Sequence, residues 1–148
     1  MIFKVSSLAY FLIYGKEYDK VISVVDPDYE IKQLHSNHLI LKIWDIETTQ
    51  DLISLQFRLL KVLIFGKNIQ ENDKVLIHCS AGMKRSPAIL YGLLWNKYHN
   101  ITTINKIIDQ NFPNGVYPNR LIMQVWKDIM PDFPYYITEK DLFKGENK

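Results

Sequence analysis

One short segment, residues 78–86 with the sequence HCSAGMKRS, combines a nucleophile with a cation at a spacing that suits oxyanion chemistry. Cys79 supplies a thiol, which reacts as its thiolate. Arg85 supplies a planar guanidinium, which can hold two oxygens of a phosphate group at once. Five residues separate the two. This spacing predicts a loop that presents the sulfur beneath a tetrahedral oxyanion and the guanidinium beside its oxygens.

The flanking sequence predicts the elements that would hold this loop. Residues 74–78 (KVLIH) form a continuous apolar run, typical of a strand covered on both faces. Residues 86–98 predict a helix, so the loop precedes a helix N-terminus, where unpaired N–H groups and the macrodipole favour negative charge. Gly82 permits a backbone path that a side chain would obstruct. The predicted oxyanion-binding residues are therefore Ser80, Ala81, Gly82, Met83, Lys84 and Arg85.

The segment resembles the signature of the cysteine-dependent protein tyrosine phosphatase superfamily, which is His-Cys, five residues, Arg, then Ser or Thr. Chain length and the strand–loop–helix order are most similar to the small dual-specificity subgroup, over residues 1–130. The resemblance implies hydrolysis of phosphomonoesters through a phosphocysteine intermediate, without a cofactor. A rhodanese-like sulfurtransferase loop has a similar shape, but it is usually shorter and lacks the His-Cys pair. A buried structural thiol is the remaining interpretation of Cys79.

The resemblance also implies roles for residues around the loop. Ser86 would hydrogen-bond the cysteine sulfur and help it leave, although a helix N-cap is a compatible interpretation. His78 would be buried and would hydrogen-bond the loop. Asn119, after Pro118, would brace the loop, or would simply cap a helix. Lys84 stands where Ser or Gly is common, and it is either a solvated side chain or a contact for doubly charged substrates.

A general acid should protonate the leaving oxygen, and it must come from another loop. Asp45 ends the predicted strand at residues 38–44 (HLILKIW) and precedes Cys79 by 34 residues. The resemblance places the acid in the equivalent loop, so Asp45 is the predicted acid. Glu47 and Asp51 remain alternatives. Asp51 is also expected to be a carboxylate in the first turn of a helix, where it would stabilise the helix dipole.

Strand-like and helical segments alternate along the rest of the chain. This order predicts a single α/β domain with a central, mostly parallel sheet flanked by helices. Functional sites in such sheets lie beyond the carboxyl ends of the strands. A tail from residue 131 to residue 148 is expected to be loosely held. Strands are predicted at residues 2–5, 20–25, 38–44 and 74–78, and helices at residues 7–14, 52–66, 86–98, 103–110 and 119–130.

Composition restricts the function classes. The 148 residues are 47% hydrophobic and 23% charged, which excludes a disordered chain. The net charge of +2 does not predict binding to nucleic acid. The chain has no apolar run long enough to predict a membrane span. A single cysteine excludes an intrachain disulfide and favours a reducing, cytoplasmic location. The His residues show no metal-ligand spacing with that cysteine, so no metal is expected.

The implied partner is a phosphorylated protein carrying phosphotyrosine or phosphoserine/threonine. Two alternatives stay open. The same loop serves enzymes that act on RNA 5′ ends, phosphoinositides or inositol phosphates. A catalytically idle phospho-binding module of this fold is a further possibility, although such modules usually lose the nucleophile or the acid. The sequence leaves the oligomeric state open.

Overall fold

The structure, a computed structural model, describes residues 1–47 and 51–135. Four strands of the described residues form its centre, namely β1 (Ile2–Ser6), β2 (Lys20–Val25), β3 (His38–Lys42) and β4 (Lys74–His78). They make a parallel sheet in the order β1-β4-β2-β3. The carboxyl ends of parallel strands meet at one edge of a sheet, so the loops after all four strands are neighbours there.

The two central strands are the most apolar, as expected of strands with helices on both faces. All six residues of β2 and four of the five in β4 are buried. Alternate side chains point to opposite faces of the sheet. Ile22 and Ile77 therefore belong to the larger core on one face, whereas Val21 and Leu76 pack with Phe11 on the other.

Five helices flank the sheet. The largest core lies between the sheet and α3, which also packs against α2, α4 and α5. Trp126 is fully buried there, and its Nε1 donates a hydrogen bond to the Ala88 carbonyl. Since α3 begins at the end of the 78–86 segment, this packing fixes the direction in which the loop leaves the sheet. The helices are α1 (Leu8–Tyr14), α2 (Leu52–Gly66), α3 (Arg85–Tyr98), α4 (Ile101–Asn111) and α5 (Arg120–Ile129).

These observations confirm the predicted α/β class, the parallel sheet and every predicted element to within a few residues. The predicted domain boundary at residue 130 stays a prediction. Phe133 is 1% exposed and packs into the main core. The expectation of a loosely held tail is therefore wrong for residues 131–135, and residues 136–148 lie outside the described part of the chain. Among the described residues, no helix has the length and apolar character of a membrane span.

Candidate active site

The 79–84 loop is anchored at both ends by the starts of two helices. The Leu8 N–H, in the first turn of α1, donates to the Ser80 carbonyl over 3.0 Å. The Asn119 N–H, just before α5, donates to the Lys84 carbonyl over 3.0 Å. Two backbone hydrogen bonds from residues distant in sequence therefore hold the loop, so its conformation does not depend on local sequence alone.

Cys79 lies at the bottom of this loop with its sulfur among hydrogen-bond donors. The residue is 2% exposed. Its Sγ accepts from the Gly82 N–H at 3.2 Å and lies 3.1 Å from the Ser86 hydroxyl, which is fully buried. A thiolate here would accept two charge-assisted hydrogen bonds. The structure thus brings Ser86 to the cysteine, as the resemblance implies, while Lys84 rather than Ser86 occupies the N-cap position of α3.

Gly82 lets the loop pass close to the end of β1. Its φ is +75°, and a Cβ there would lie 2.6 Å from both the carbonyl carbon and the carbonyl oxygen of Ser6. Such crowding against backbone requires a shift of the main chain. The side-chain obstruction predicted at Gly82 would therefore come from contact with the last residue of β1.

Replacing Gly82 by alanine is expected to lower the free energy of unfolding by more than about 2 kcal/mol, since positive φ alone costs about 1–2 kcal/mol for an L-residue. The Gly115→Ala variant is the matched control. Gly115 has φ of +95°, but nothing lies within 4 Å of its added Cβ. Urea unfolding of both variants measures the difference. An equal loss in the two variants would show that the contact with Ser6 is unimportant.

Arg85 is buried, and one of its terminal nitrogens is held by the ends of the neighbouring strands. The residue is 3% exposed. Its Nη1 donates to Asp26 Oδ1 at 2.7 Å and to the Ile43 carbonyl at 2.8 Å, while Nη2 donates to Ser80 Oγ at 3.1 Å. Its Nε is buried and has no hydrogen-bond partner among the described residues. Because Nε–H and Nη2 form one edge of the guanidinium, that edge is the one placed to hold two oxygens of an anion.

Asp26 was not among the predicted site residues. It follows β2 directly, and β2 is the neighbour of β4 in the sheet. A carboxylate at the carboxyl end of a buried strand was the only available signal, and the strand order needed to use it is not visible in the sequence.

Asp45, the predicted general acid, lies on the loop after β3 and is exposed. Its Oδ1 accepts a hydrogen bond from Asn119 Nδ2 at 3.3 Å, and the same nitrogen donates to the Ile46 carbonyl at 3.0 Å. The fully buried Asn119 also caps α5 by accepting from the Ile122 N–H. The Asn119 side chain therefore caps α5 and holds residues 43–47, the acid loop, whereas its backbone N–H donates to residues 79–84, the cysteine loop. Its role in bracing the cysteine loop stays a prediction.

The two alternative acids have structural partners of their own. Glu47 Oε2 accepts from the Arg120 N–H at 3.0 Å, and its Oε1 lies 3.5 Å from Lys84 Nζ. Asp51 is the N-cap of α2 and accepts from the Ser54 N–H. Asp51 thus lies one residue before the first turn of α2, in which it was predicted to lie, and it acts on the helix as its N-cap. Glu47 also connects the acid loop to Lys84. The Lys84 side chain is half-exposed and forms an ion pair with Glu47.

His78 is fully buried beneath the loop, as predicted. Its Nδ1 is 3.2 Å from the Cys79 carbonyl oxygen, its Nε2 is 2.6 Å from Ser23 Oγ, and its ring stacks on Phe11 at 4.2 Å. Burial lowers the pKa of His78 to about 4. Burial, together with the nearby His78 and His35, lowers the pKa of His38 to about 4 as well.

Stability is expected to fall as the pH is lowered from about 6.5 towards 4. Both His38 and His78 have depressed pKa values in the fold, so the unfolded chain binds protons in this range that the folded chain does not. Each histidine then contributes up to about 1.4 kcal/mol per pH unit, and this contribution is fully present only above pH 6.5.

Urea unfolding between pH 7 and 5 measures this slope. The window avoids Asp73, whose pKa is lowered from 3.8 by a backbone hydrogen bond from Gln70 and by the Lys20 side chain. A His38→Phe variant should retain about half of the slope, because one of the two histidines remains. A stability that is constant over this window would contradict the prediction.

In the described part of the chain, no group of three His, Cys, Asp or Glu side chains is arranged to hold a metal ion. The candidate site consists of the cysteine loop, the buried Arg85 with Asp26, and the acid loop. Asn119 and Glu47 connect the acid loop to the rest of the site. These groups can bind and polarise a tetrahedral anion with fixed N–H donors.

Comparison of the fold with solved structures identifies one architecture. DUSP15 matches with a TM-score of 0.62 at 13% identity, over 96% of this chain and 90% of that one. The Yvh1 phosphatase domain from Chaetomium thermophilum matches at 0.57 and 20% identity, over 85% and 88%. Human DUSP28 matches at 0.56 and 10% identity, over 85% and 89%. No family model and no curated protein matches the sequence. The chain thus has the fold of the dual-specificity phosphatases, the small subgroup of the cysteine-dependent protein tyrosine phosphatase superfamily that its HCSAGMKRS segment resembles.

Proposed function

We propose that this protein is a phosphomonoester hydrolase that works through a phosphocysteine intermediate, with phosphorylated proteins as its substrates. One observation carries the proposal. The Cys79 sulfur accepts from the Gly82 N–H and lies 3.1 Å from the Ser86 hydroxyl, while the buried Nε–H of Arg85 in the same loop lacks a partner among the described residues. A buried donor without a partner is costly, and a bound phosphate would satisfy it.

The first step transfers the phosphoryl group to sulfur. The Cys79 thiolate attacks phosphorus, so that a P–S bond forms as the P–O ester bond breaks. The leaving oxygen takes a proton from Asp45. Arg85 and the loop amides hold the equatorial oxygens, where fixed donors act without having to reorganise.

The second step releases phosphate. Water attacks the phosphorus of the phosphocysteine and gives a proton to Asp45, the P–S bond breaks, and the sulfur leaves as a thiolate. The Ser86 hydroxyl, 3.1 Å from the sulfur, can donate to that developing charge. The negative charge of the phosphate is balanced throughout by Arg85 and by backbone N–H groups.

The charges around the loop favour a protein phosphomonoester over a polyanionic substrate. Lys84 is paired with Glu47, and Arg85 with Asp26. Asp45 adds another carboxylate at the same edge. The two cations at the end of the loop, Lys84 and Arg85, are thus already paired with carboxylates, which disfavours the additional phosphates of an inositol phosphate or of an RNA 5′ end. The fold alone does not distinguish a hydrolase from a phosphate-binding module. One structural neighbour, with the same TM-score of 0.56 as DUSP28, is described as a human "tyrosine phosphatase-like serine/threonine/tyrosine-interacting protein".

A parallel assay tests both activity and substrate class. Phosphotyrosyl peptide, phosphothreonyl peptide, an inositol phosphate and a 5′-triphosphate RNA are compared at equal concentration, with vanadate as the inhibitor. We expect vanadate-sensitive release of phosphate from the peptides. Release mainly from the inositol phosphate or the RNA would reassign the substrate. Stoichiometric phosphopeptide binding without release would identify a binding module.

A further inference from the structure

A chain of four hydrogen bonds leads from the segment between β2 and β3 to the carbonyl of the cysteine. The Leu34 N–H donates to His38 Nδ1 at 3.0 Å. His38 Nε2 lies 2.6 Å from Ser23 Oγ, and the same oxygen lies 2.6 Å from His78 Nε2. His78 Nδ1 lies 3.2 Å from the Cys79 carbonyl oxygen. The mechanism above uses neither Ser23 nor His38.

The groups at the two ends of this series of hydrogen bonds determine which ring nitrogen of His38 and of His78 carries the proton. A backbone N–H can only donate, so His38 Nδ1 accepts and the ring proton of His38 is on Nε2. A carbonyl can only accept, so the ring proton of His78 is on Nδ1 and its Nε2 accepts. Ser23 has one hydroxyl hydrogen, which it donates to His78 while it accepts from His38. With both rings neutral, this arrangement satisfies every donor.

The surroundings keep both rings neutral. Ser23 and His78 are fully buried and His38 is 4% exposed. Phe11 covers both rings, with centroid distances of 4.2 Å to His78 and 5.5 Å to His38. Arg85 disfavours a positive charge on His78, and His78 and His35 disfavour one on His38. A neutral imidazole has one donor and one acceptor nitrogen, as the chain of bonds requires.

We propose that Ser23 and His38 are positioning residues for the cysteine loop, because they hold His78 in the tautomer whose Nδ1–H binds the Cys79 carbonyl. The proposal rests on the proposed function, since it concerns the same nucleophile. The tautomer of a histidine is set by the hydrogen bond that its other nitrogen makes. Here that bond is to Ser23, and its direction is set by His38.

The opposite tautomer of His78 would damage the loop. Its Nδ1 lone pair would face the Cys79 carbonyl oxygen across 3.2 Å, which is a repulsive contact. The Cys79–Ser80 peptide would then rotate, and this peptide carries the first N–H of the oxyanion loop. In the tautomer with the proton on Nδ1, the hydrogen bond to the carbonyl also polarises that peptide and strengthens its N–H as a donor.

The first experiment reads the tautomers directly in the intact, unmodified chain. Long-range ¹H–¹⁵N correlation spectra of the imidazole rings distinguish the protonated nitrogen from the unprotonated one at pH 7. The chain has four histidines, so single substitutions suffice for assignment. We expect His78 to be protonated on Nδ1 and His38 on Nε2. Protonation of His78 on Nε2, or an even mixture of its tautomers, would overturn the proposal.

The second experiment compares Ser23→Ala with Ser23→Thr, which keeps the hydroxyl. Iodoacetamide alkylation of Cys79 is followed as a function of pH, with kcat/KM for an aryl phosphate measured alongside. In Ser23→Ala we expect the alkylation midpoint to move to higher pH and kcat/KM to fall by about tenfold, the usual size of an effect exerted through a second residue. Ser23→Thr should restore both.

Two results would overturn the proposal: wild-type values in a folded Ser23→Ala variant, or an equal defect in the Ala and Thr variants. If Ser23→Ala does not fold, the tautomers of His38 and His78 measured in the wild-type protein test the proposal on their own. Neither the tautomers nor the alkylation depends on turnover. A wild-type chain that hydrolyses no phosphate ester would therefore refute the proposed function without affecting these two measurements.

Discussion

Cys79→Ser is expected to abolish turnover while the protein still binds oxyanions. A serine hydroxyl is protonated at neutral pH, so the attacking group is lost. Arg85 and the loop amides, which hold the anion, are unchanged. We expect kcat for an aryl phosphate to fall on the order of 10⁴-fold or more, as is typical when a catalytic nucleophile is removed. Steady-state kinetics measures the loss, and calorimetric titration with phosphate measures the binding that remains.

Ser86→Ala provides the matched comparison, because it removes one hydrogen bond to the sulfur and leaves the nucleophile in place. In this variant the sulfur should leave more slowly, so phosphocysteine should accumulate and be visible by mass spectrometry after an acid quench. Cys79→Ser should show no such adduct. Turnover of Cys79→Ser above about 1% of wild type, on the scale of losses expected for a nucleophile, would refute the role of Cys79.

The segments that depend on local chemistry were predicted well from the sequence. Lys20–Val25 is β-branched and apolar throughout, so only a buried strand suits it. In the 78–86 segment, the nucleophile, the glycine and the arginine lie within one loop, and their relation needs no knowledge of the sheet. Asp45 could be placed at the same edge as the loop because it follows a predicted strand, and its role as the acid stays a prediction.

The residues that were missed depend on which strands are neighbours. Asp26 reaches Arg85 because β2 lies beside β4, although 59 positions separate the two residues. Ser23 is an ordinary small residue inside an apolar strand. Its role appears only when His38 and His78 are seen on either side of it. Phe133 is similar, since its neighbours are prolines and charged residues, and only the packing shows that the core extends to it.

Sequence position alone left three candidates for the general acid, Asp45, Glu47 and Asp51. Asp51 caps α2, which leaves the contacts of Asp45 and Glu47 to compare. In the structure Glu47 accepts the Arg120 N–H and pairs with Lys84, so both of its oxygens have partners. Asp45 is exposed, and within residues 1–47 and 51–135 its carboxylate accepts one hydrogen bond, from Asn119. An acid that must release and recover a proton needs access to the substrate and to water, which favours Asp45.

Asp45→Asn should therefore lower kcat for poorly activated phosphate esters by about 10²- to 10⁴-fold, the usual contribution of a general acid. An amide preserves the shape and the possible contact with Asn119, but it cannot give up a proton to the leaving oxygen. The loss should be much smaller for aryl esters with good leaving groups, since these need no protonation. The limb of the kcat/KM profile at higher pH, which reports the acid, should disappear.

Glu47→Gln is the matched control, since it makes the same chemical change two residues away. It weakens the contact with Lys84, an exposed pair whose loss should alter kcat less than tenfold. Kinetics of both variants on one activated and one unactivated ester separates the two roles. If Glu47→Gln shows the dependence on leaving group and Asp45→Asn does not, the acid is Glu47, and its hydrogen bond from Arg120 or its ion pair with Lys84 must break before the proton is transferred.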